Sequence, residues 1–259
     1  MSAETSTASV AADAMIAGDV MVPTALALMA YSAIIPGVWP LVASMLEGAG
    51  FPSGVGQGAV KWAEGGEHLH EAHEALREVV EAIPEDAWSS QDHEAFKKKM
   101  DDFGAQLEGV HVFADVIMGM LIIIGTVLTL YALVMLCFAV EMASLATTIY
   151  IELASVFGAI AAPETIEAAT ALAEADVAAL EGYHAAMSAL SGVASKVMGG
   201  AEFLFEDFQM LMGNNNMIPD VFNGLLHSVE PIAISKIKEK IAELGLGKMS
   251  GEAEAAASA

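Results

Sequence analysis

A single cysteine, Cys137, stands in the 259-residue sequence, so an intrachain disulfide is excluded and no cysteine-based zinc site is available. Positive charge is scarce as well: ten Lys and Arg face 34 Asp and Glu, a net charge of -24. A phosphate backbone would be repelled almost everywhere on such a surface, which excludes nucleic acid as a partner. The first positive charge is Lys61, and the opening stretch carries Glu4 and Asp13, so no secretory signal peptide is visible. No stretch alternates apolar and polar residues as a half-buried strand does. Nucleophile motifs, dinucleotide fingerprints and phosphate-binding loops are missing too, because the glycines at 48–58 lack both the spacing and a preceding strand. These absences predict a noncatalytic protein with no cofactor and no small-molecule substrate.

What is abundant is apolar side chain. Hydrophobic residues make up 55% against 17% charged, and the mean hydropathy is +0.54, which excludes a wholly disordered chain. Residues 1–14 are small and polar without a hydrophobic period, and read as a flexible N-terminus. Residues 15–58 form an apolar segment interrupted by Pro and Gly. There Pro23, Pro36, Gly37 and Pro40 disfavour an unbroken helix and leave a short one near 24–35, while Gly50, Pro52, Gly54 and Gly56 read as a flexible connection.

A helical hairpin is expected over residues 59–112. Leu69, Ala72, Leu76, Val79 and Ile83 recur at spacings of three and four until Pro84 stops the helix. The pattern resumes in Phe96, Met100, Phe103, Leu107 and Val110, with Ser90 and Asp92 supplying N-cap chemistry and Asp92 and Glu94 suiting the positive end of the dipole.

Residues 113–162 read as an apolar helix that is either membrane-competent or a core element. The 25 residues of 116–140 carry no charge and would span about 37 Å as a helix, enough to cross a bilayer. Val116, Leu121, Leu128 and Leu136 represent this segment, Met118, Met120, Met135 and Met142 add adaptable packing, and Glu141 and Glu152 are the only charges before Pro163. With no Pro, Asn or Gly between 126 and 157, one long helix is simpler than a reversal near Glu141. Asp115, Glu141 and Glu152 would oppose insertion while ionised, so acid should favour contact with lipid.

Pro163 and Glu164 suit the start of C-terminal helices over residues 163–247, with Val177, Leu180, Met187, Leu190, Ala194 and Val197 on one face. An end is expected at 213–216, and a last helix carries Ile232, Ile237, Ile241 and Leu244 before a flexible tail at 248–259. The fold class is therefore all-α: an elongated helical hairpin or bundle with a long, strongly apolar central helix.

Residues 67–74 gather His68, His70, His73, Glu71 and Glu74, the one dense cluster of metal-capable groups. His70 lies three residues from His73 and four from Glu74, so two ligands can meet one ion, but Leu69 and Ala72 mark the buried face and leave these groups to solvent. No metal site is expected from two ligands.

The hairpin turn reads Ile83-Pro84-Glu85-Asp86-Ala87-Trp88-Ser89-Ser90, with Phe96 eight residues after Trp88. It resembles the WXG-type helical hairpins exported by type VII (ESX) secretion systems, in which a turn Trp is followed by a small residue two positions on and an aromatic eight on. Trp88, Ser90 and Phe96 take those places, with Ser90 where the family has Gly. A hairpin followed by a long apolar segment is similar to the larger members. The resemblance implies a secreted helical protein that pairs with itself or with a helical secretion partner, and the apolar segment adds membrane association and contact with membrane lipid, extending to membrane insertion or pore formation. Leu69, Leu76, Val79, Met100, Phe103 and Leu107 would form the pairing face. The family's Tyr-x-x-x-Asp/Glu signal is absent after Tyr31, Tyr131, Tyr150 and Tyr183, so export would need a partner to supply it. Two other readings compete: a soluble structural assembly, and an integral membrane docking protein.

Overall fold

The computed structural model describes residues 3–84, 91–156 and 158–211, and among them the protein is all-α, without a strand. Five helices follow in order: α1 (Ala3–Tyr31), α2 (Val38–Gly48), α3 (Pro52–Glu81), α4 (Gln91–Ala154) and α5 (Gly158–Leu211). They form two compact units. Among the described residues, unit 1 takes in residues 3–13, 54–84, 91–123 and 193–211, and unit 2 takes in residues 14–53, 124–156 and 158–192.

The N-terminus differs from the sequence expectation. Residues 1–14 are helical from Ala3 onward rather than a flexible lead. Thr5, Ala8 and Ala12 are buried at spacings of three and four, so their small side chains form a helix face that a count of large hydrophobics overlooks. Pro23 does not interrupt α1 either. It removes one rung of the hydrogen-bond ladder, and beside it the Thr24 hydroxyl donates to the Val20 carbonyl at 2.8 Å. Pro40 is the third residue of α2, in the first turn, where its missing N–H leaves no gap.

The glycines expected as a flexible connection also lie in a helix, because α3 begins at Pro52. Gly56, Ala59, Ala63 and Gly66 are buried at alternating spacings of three and four, a buried face made of small residues. The end of α3 at Glu81, before Pro84, and the start of α4 at Gln91, with Asp92 and Glu94 in its first turn, agree with the expected hairpin.

The long apolar helix ends eight residues before 162, at Ala154, and α5 carries Pro163 inside it rather than at its start. Ser155 makes the break. Gly158 N–H donates to Ser155 Oγ at 2.9 Å and Ala159 N–H donates to the Ser155 carbonyl at 3.0 Å, so Ser155 satisfies two of the donors at the start of α5. A Cβ on Gly158 would meet the Glu152 carbonyl oxygen at 2.7 Å, so the tight turn needs a glycine there.

Trp88 and Ser90 of the hairpin turn lie outside the described residues, as do the helix end expected at 213–216, the last helix with Ile232, Ile237, Ile241 and Leu244, and the tail 248–259.

Candidate functional site

In unit 1, α3 and α4 meet along a polar seam. Gly104 lets the His73 ring approach so closely that a Cβ there would lie 2.9 Å from Nε2, and His73 Nδ1 sits 3.3 Å from Glu108 Oε2. One turn further, His70 Nδ1 lies 3.8 Å from the same oxygen, and the His70 and His111 rings are 5.4 Å apart. His111 Nδ1 sits 3.0 Å from the Gly66 carbonyl oxygen, a distance at which the ring N–H donates to it, while Nε2 lies 3.6 Å from Asp115 Oδ2. Burial raises the Asp115 carboxyl above its ordinary range, and His111 partly offsets this. His70, Glu108 and His111 each bring one ligand-capable atom to within 4.8 Å of the others. His68 and His70 of α3 are exposed, as expected, and His73 is half-buried; the expectation that no third group joins the cluster is corrected, since α4 supplies Glu108 and His111. Trp62 and Phe113 pack edge to face at 6.2 Å, and Thr5 Oγ1 donates to Glu67 Oε2 at 2.9 Å, tying α1 to α3.

The apolar stripe read from the sequence does not seal α3 onto α4. Leu69, Leu76, Phe96, Met100 and Leu107 are half-buried, but Ala72 and Phe103 are exposed and Val79 is 65% exposed, while Val80 is buried. The face turned to α4 is rotated by about one residue and runs through Gly66, His70, His73 and Val80. Nearer the turn, the two helices leave a cleft of about 510 Å³ between them, bordered by Leu76, Arg77, Lys97 and Met100.

Unit 2 is built around Tyr131. Its hydroxyl is shared between the Ser44 and Met45 carbonyls at 3.1 and 3.0 Å and is hydrogen-bonded to His184 Nε2 at 2.9 Å, so one α4 side chain joins the end of α2 to α5. Tyr183 packs on the same ring at 5.1 Å, and its hydroxyl donates to the Val127 carbonyl at 2.7 Å. Leu41, Met45, Met135, Met142, Ile149 and Leu180 complete the core. Asp176 is buried with no hydrogen-bond partner on Oδ2, and burial, with Glu141 adding to it, pushes its carboxyl up to about 7. Asp176 escaped the sequence reading because it occupies an apolar position of the α5 face, where a polar residue breaks the pattern rather than making one.

Of the apolar segment, Val116 is buried and Leu121, Leu128, Leu136 and Glu141 are half-buried. Glu152 accepts a hydrogen bond from Thr165 Oγ1 at 3.1 Å. Two helical stretches, Glu4–Tyr31 and Asp92–Ala154, are long and apolar enough to cross a membrane, and 39% of the most apolar window of the second is buried within the protein. Around the α4–α5 turn the apolar side chains face outward: Ile151, Leu153, Val156 and Ile160 are exposed, the last two by 86% and 81%. No family model, curated protein or solved structure matches this chain.

Proposed function

We propose that the protein is a noncatalytic helical hairpin protein that contacts membrane lipid, of the kind exported by type VII (ESX) systems, and that the α4–α5 turn of unit 2 is its lipid-contacting tip. The exposed apolar turn carries this reading. Connections between helices run over the surface and are ordinarily polar, whereas here Ile151, Leu153, Val156 and Ile160 present large side chains to solvent with Glu152 as the one charge among 142–163. Burying such a tip in the interface removes apolar area from water at about 25 cal/mol per Å². The exposed Val79 and Phe103 of the hairpin support pairing with a second helical hairpin, a copy of this chain or a secretion partner.

Flotation of the full chain with phosphatidylcholine liposomes, without detergent, tests the reading. The wild type should float with the vesicles, and Val156→Glu with Ile160→Glu should reduce the bound fraction about tenfold while leaving far-UV circular dichroism unchanged. Equal flotation of both proteins removes the tip from the argument. A wild type that stays in the lower fraction as a monodisperse oligomer favours the soluble assembly instead.

A further inference from the structure

We propose that His70, Glu108 and His111 form a zinc-binding site that clamps α3 to α4 in unit 1. Their ligand-capable atoms already lie within 4.8 Å of one another, against about 3.3 Å between neighbouring ligands around a tetrahedral ion with bonds near 2.0 Å, so small side-chain rotations close the site. The arrangement around His111 is the strongest support. With its Nδ1–H given to the Gly66 carbonyl at 3.0 Å, the other ring nitrogen carries the lone pair, and a backbone carbonyl behind the ring is the usual support of a metal-bound histidine. That nitrogen lies 3.6 Å from Asp115 Oδ2, so a further carboxylate stands beside the atom that would take the ion.

The chemistry of the set selects the ion. Two imidazoles and one carboxylate suit zinc, whereas calcium and magnesium prefer oxygen ligands throughout. His73, 3.3 Å from Glu108, orients the carboxylate or turns in as a fourth ligand, and water can take the open position. Access is direct: the His70 side chain is 51% exposed and Glu108 45%, while His111 at 16% anchors the inner side. The ligands come from both arms of the hairpin, so the ion would fasten α3 to α4 where apolar packing between them is thin.

The test is competition of the full chain against a chromophoric chelator for Zn2+, together with thermal melting in Zn2+, Ca2+ or Mg2+. The wild type should bind one equivalent of Zn2+ and melt at a higher temperature with it, and Ca2+ and Mg2+ should leave the melt unchanged. His111→Ala and the near-isosteric Glu108→Gln should each weaken Zn2+ binding about tenfold or more, with helicity intact by circular dichroism. His68→Ala, on the exposed side of α3, should bind as the wild type does. The site is overturned if the wild type binds no Zn2+, if His111→Ala and Glu108→Gln bind as tightly as the wild type, or if Ca2+ shifts the melt equally.

Discussion

Unit 1 and unit 2 solve the same problem, holding long helices side by side, with opposite chemistry. In unit 1 the contact between α3 and α4 runs through histidines and carboxylates whose rings and chain ends are partly open to water, with Gly66 and Gly104 leaving room for the facing His111 and His73 rings. In unit 2 the contact runs through Tyr131, whose relative exposure is 1%, and the Tyr183 and His184 rings against it, within a core that holds buried methionines and leucines. A buried hub with every hydrogen bond assigned is rigid because each polar group removed from water must keep its partner. A half-exposed seam keeps water as an alternative partner and can rearrange at little cost. The difference separates a unit whose helix contacts can yield from one whose contacts are fixed.

The sharpest way to break this contrast is to add one methyl group to each unit. Gly48 sits against the hub: a Cβ there would lie 2.5 Å from Tyr131 Cζ and 2.7 Å from His184 Nε2. Neither ring has room to retreat without giving up the hydrogen bond they share. Gly48→Ala should therefore cost about 1 to 3 kcal/mol, read as a lower melting temperature by circular dichroism, although alanine is the better helix former. An unchanged melt would mean that the hub is as yielding as the hairpin.

How much of this contrast was legible in the sequence depends on residue size. The hairpin, its Pro84 stop, the acidic first turn of α4 and the long apolar run could all be read, because large apolar side chains and helix punctuation carry those signals. The N-terminal part of α1 and the start of α3 could not, since their buried faces are made of Thr5, Ala8 and Ala12, and of Gly56, Ala59, Ala63 and Gly66, which hydropathy counts as neutral or flexible. The break at Ser155 had a readable cue, a serine three residues before a glycine, but the surrounding apolarity hid it. In the histidine seam the polarity pattern places His68 and His70 on the solvent side, where they are, but it carries no sign that Glu108 and His111 come up beside them across the hairpin.

A smaller effect is expected from Asp176 in unit 2. Its carboxyl is pushed up to about 7 in the folded protein by burial and by Glu141, well above the ordinary carboxylate value that it has when unfolded. Between those two values the folded state binds the extra proton, so this group adds stability as pH falls from 7.5 to 4.5 and takes it away as pH rises through 7. Asp176→Asn should melt higher than the wild type at pH 8, match it near pH 4.5, and so flatten the pH dependence. The difference between the two proteins is the quantity to measure, since the other carboxylates and the histidines contribute equally to both. Parallel profiles would show that Asp176 stays ionised when folded.

The smallest effect should come from Gly104→Ala in unit 1, the counterpart of the change at Gly48. A Cβ at 104 would meet His73 Nε2 at 2.9 Å and Cδ2 at 3.0 Å, so the ring must move. Here it can, because the His73 side chain is 31% exposed and its partner Glu108 is 45% exposed. The variant loses the hydrogen bond between them, and a bond with partly hydrated partners contributes only about 0.5 to 1 kcal/mol. Against that loss, replacing glycine with alanine inside a helix gains about 0.8 to 1 kcal/mol. The two nearly cancel, so the melting temperature should hardly change while the His73 ring resonances shift in NMR spectra. A large fall in stability would mean that α3 and α4 pack as tightly at the seam as α2, α4 and α5 do around Tyr131, and the contrast between a yielding unit and a rigid one would not survive.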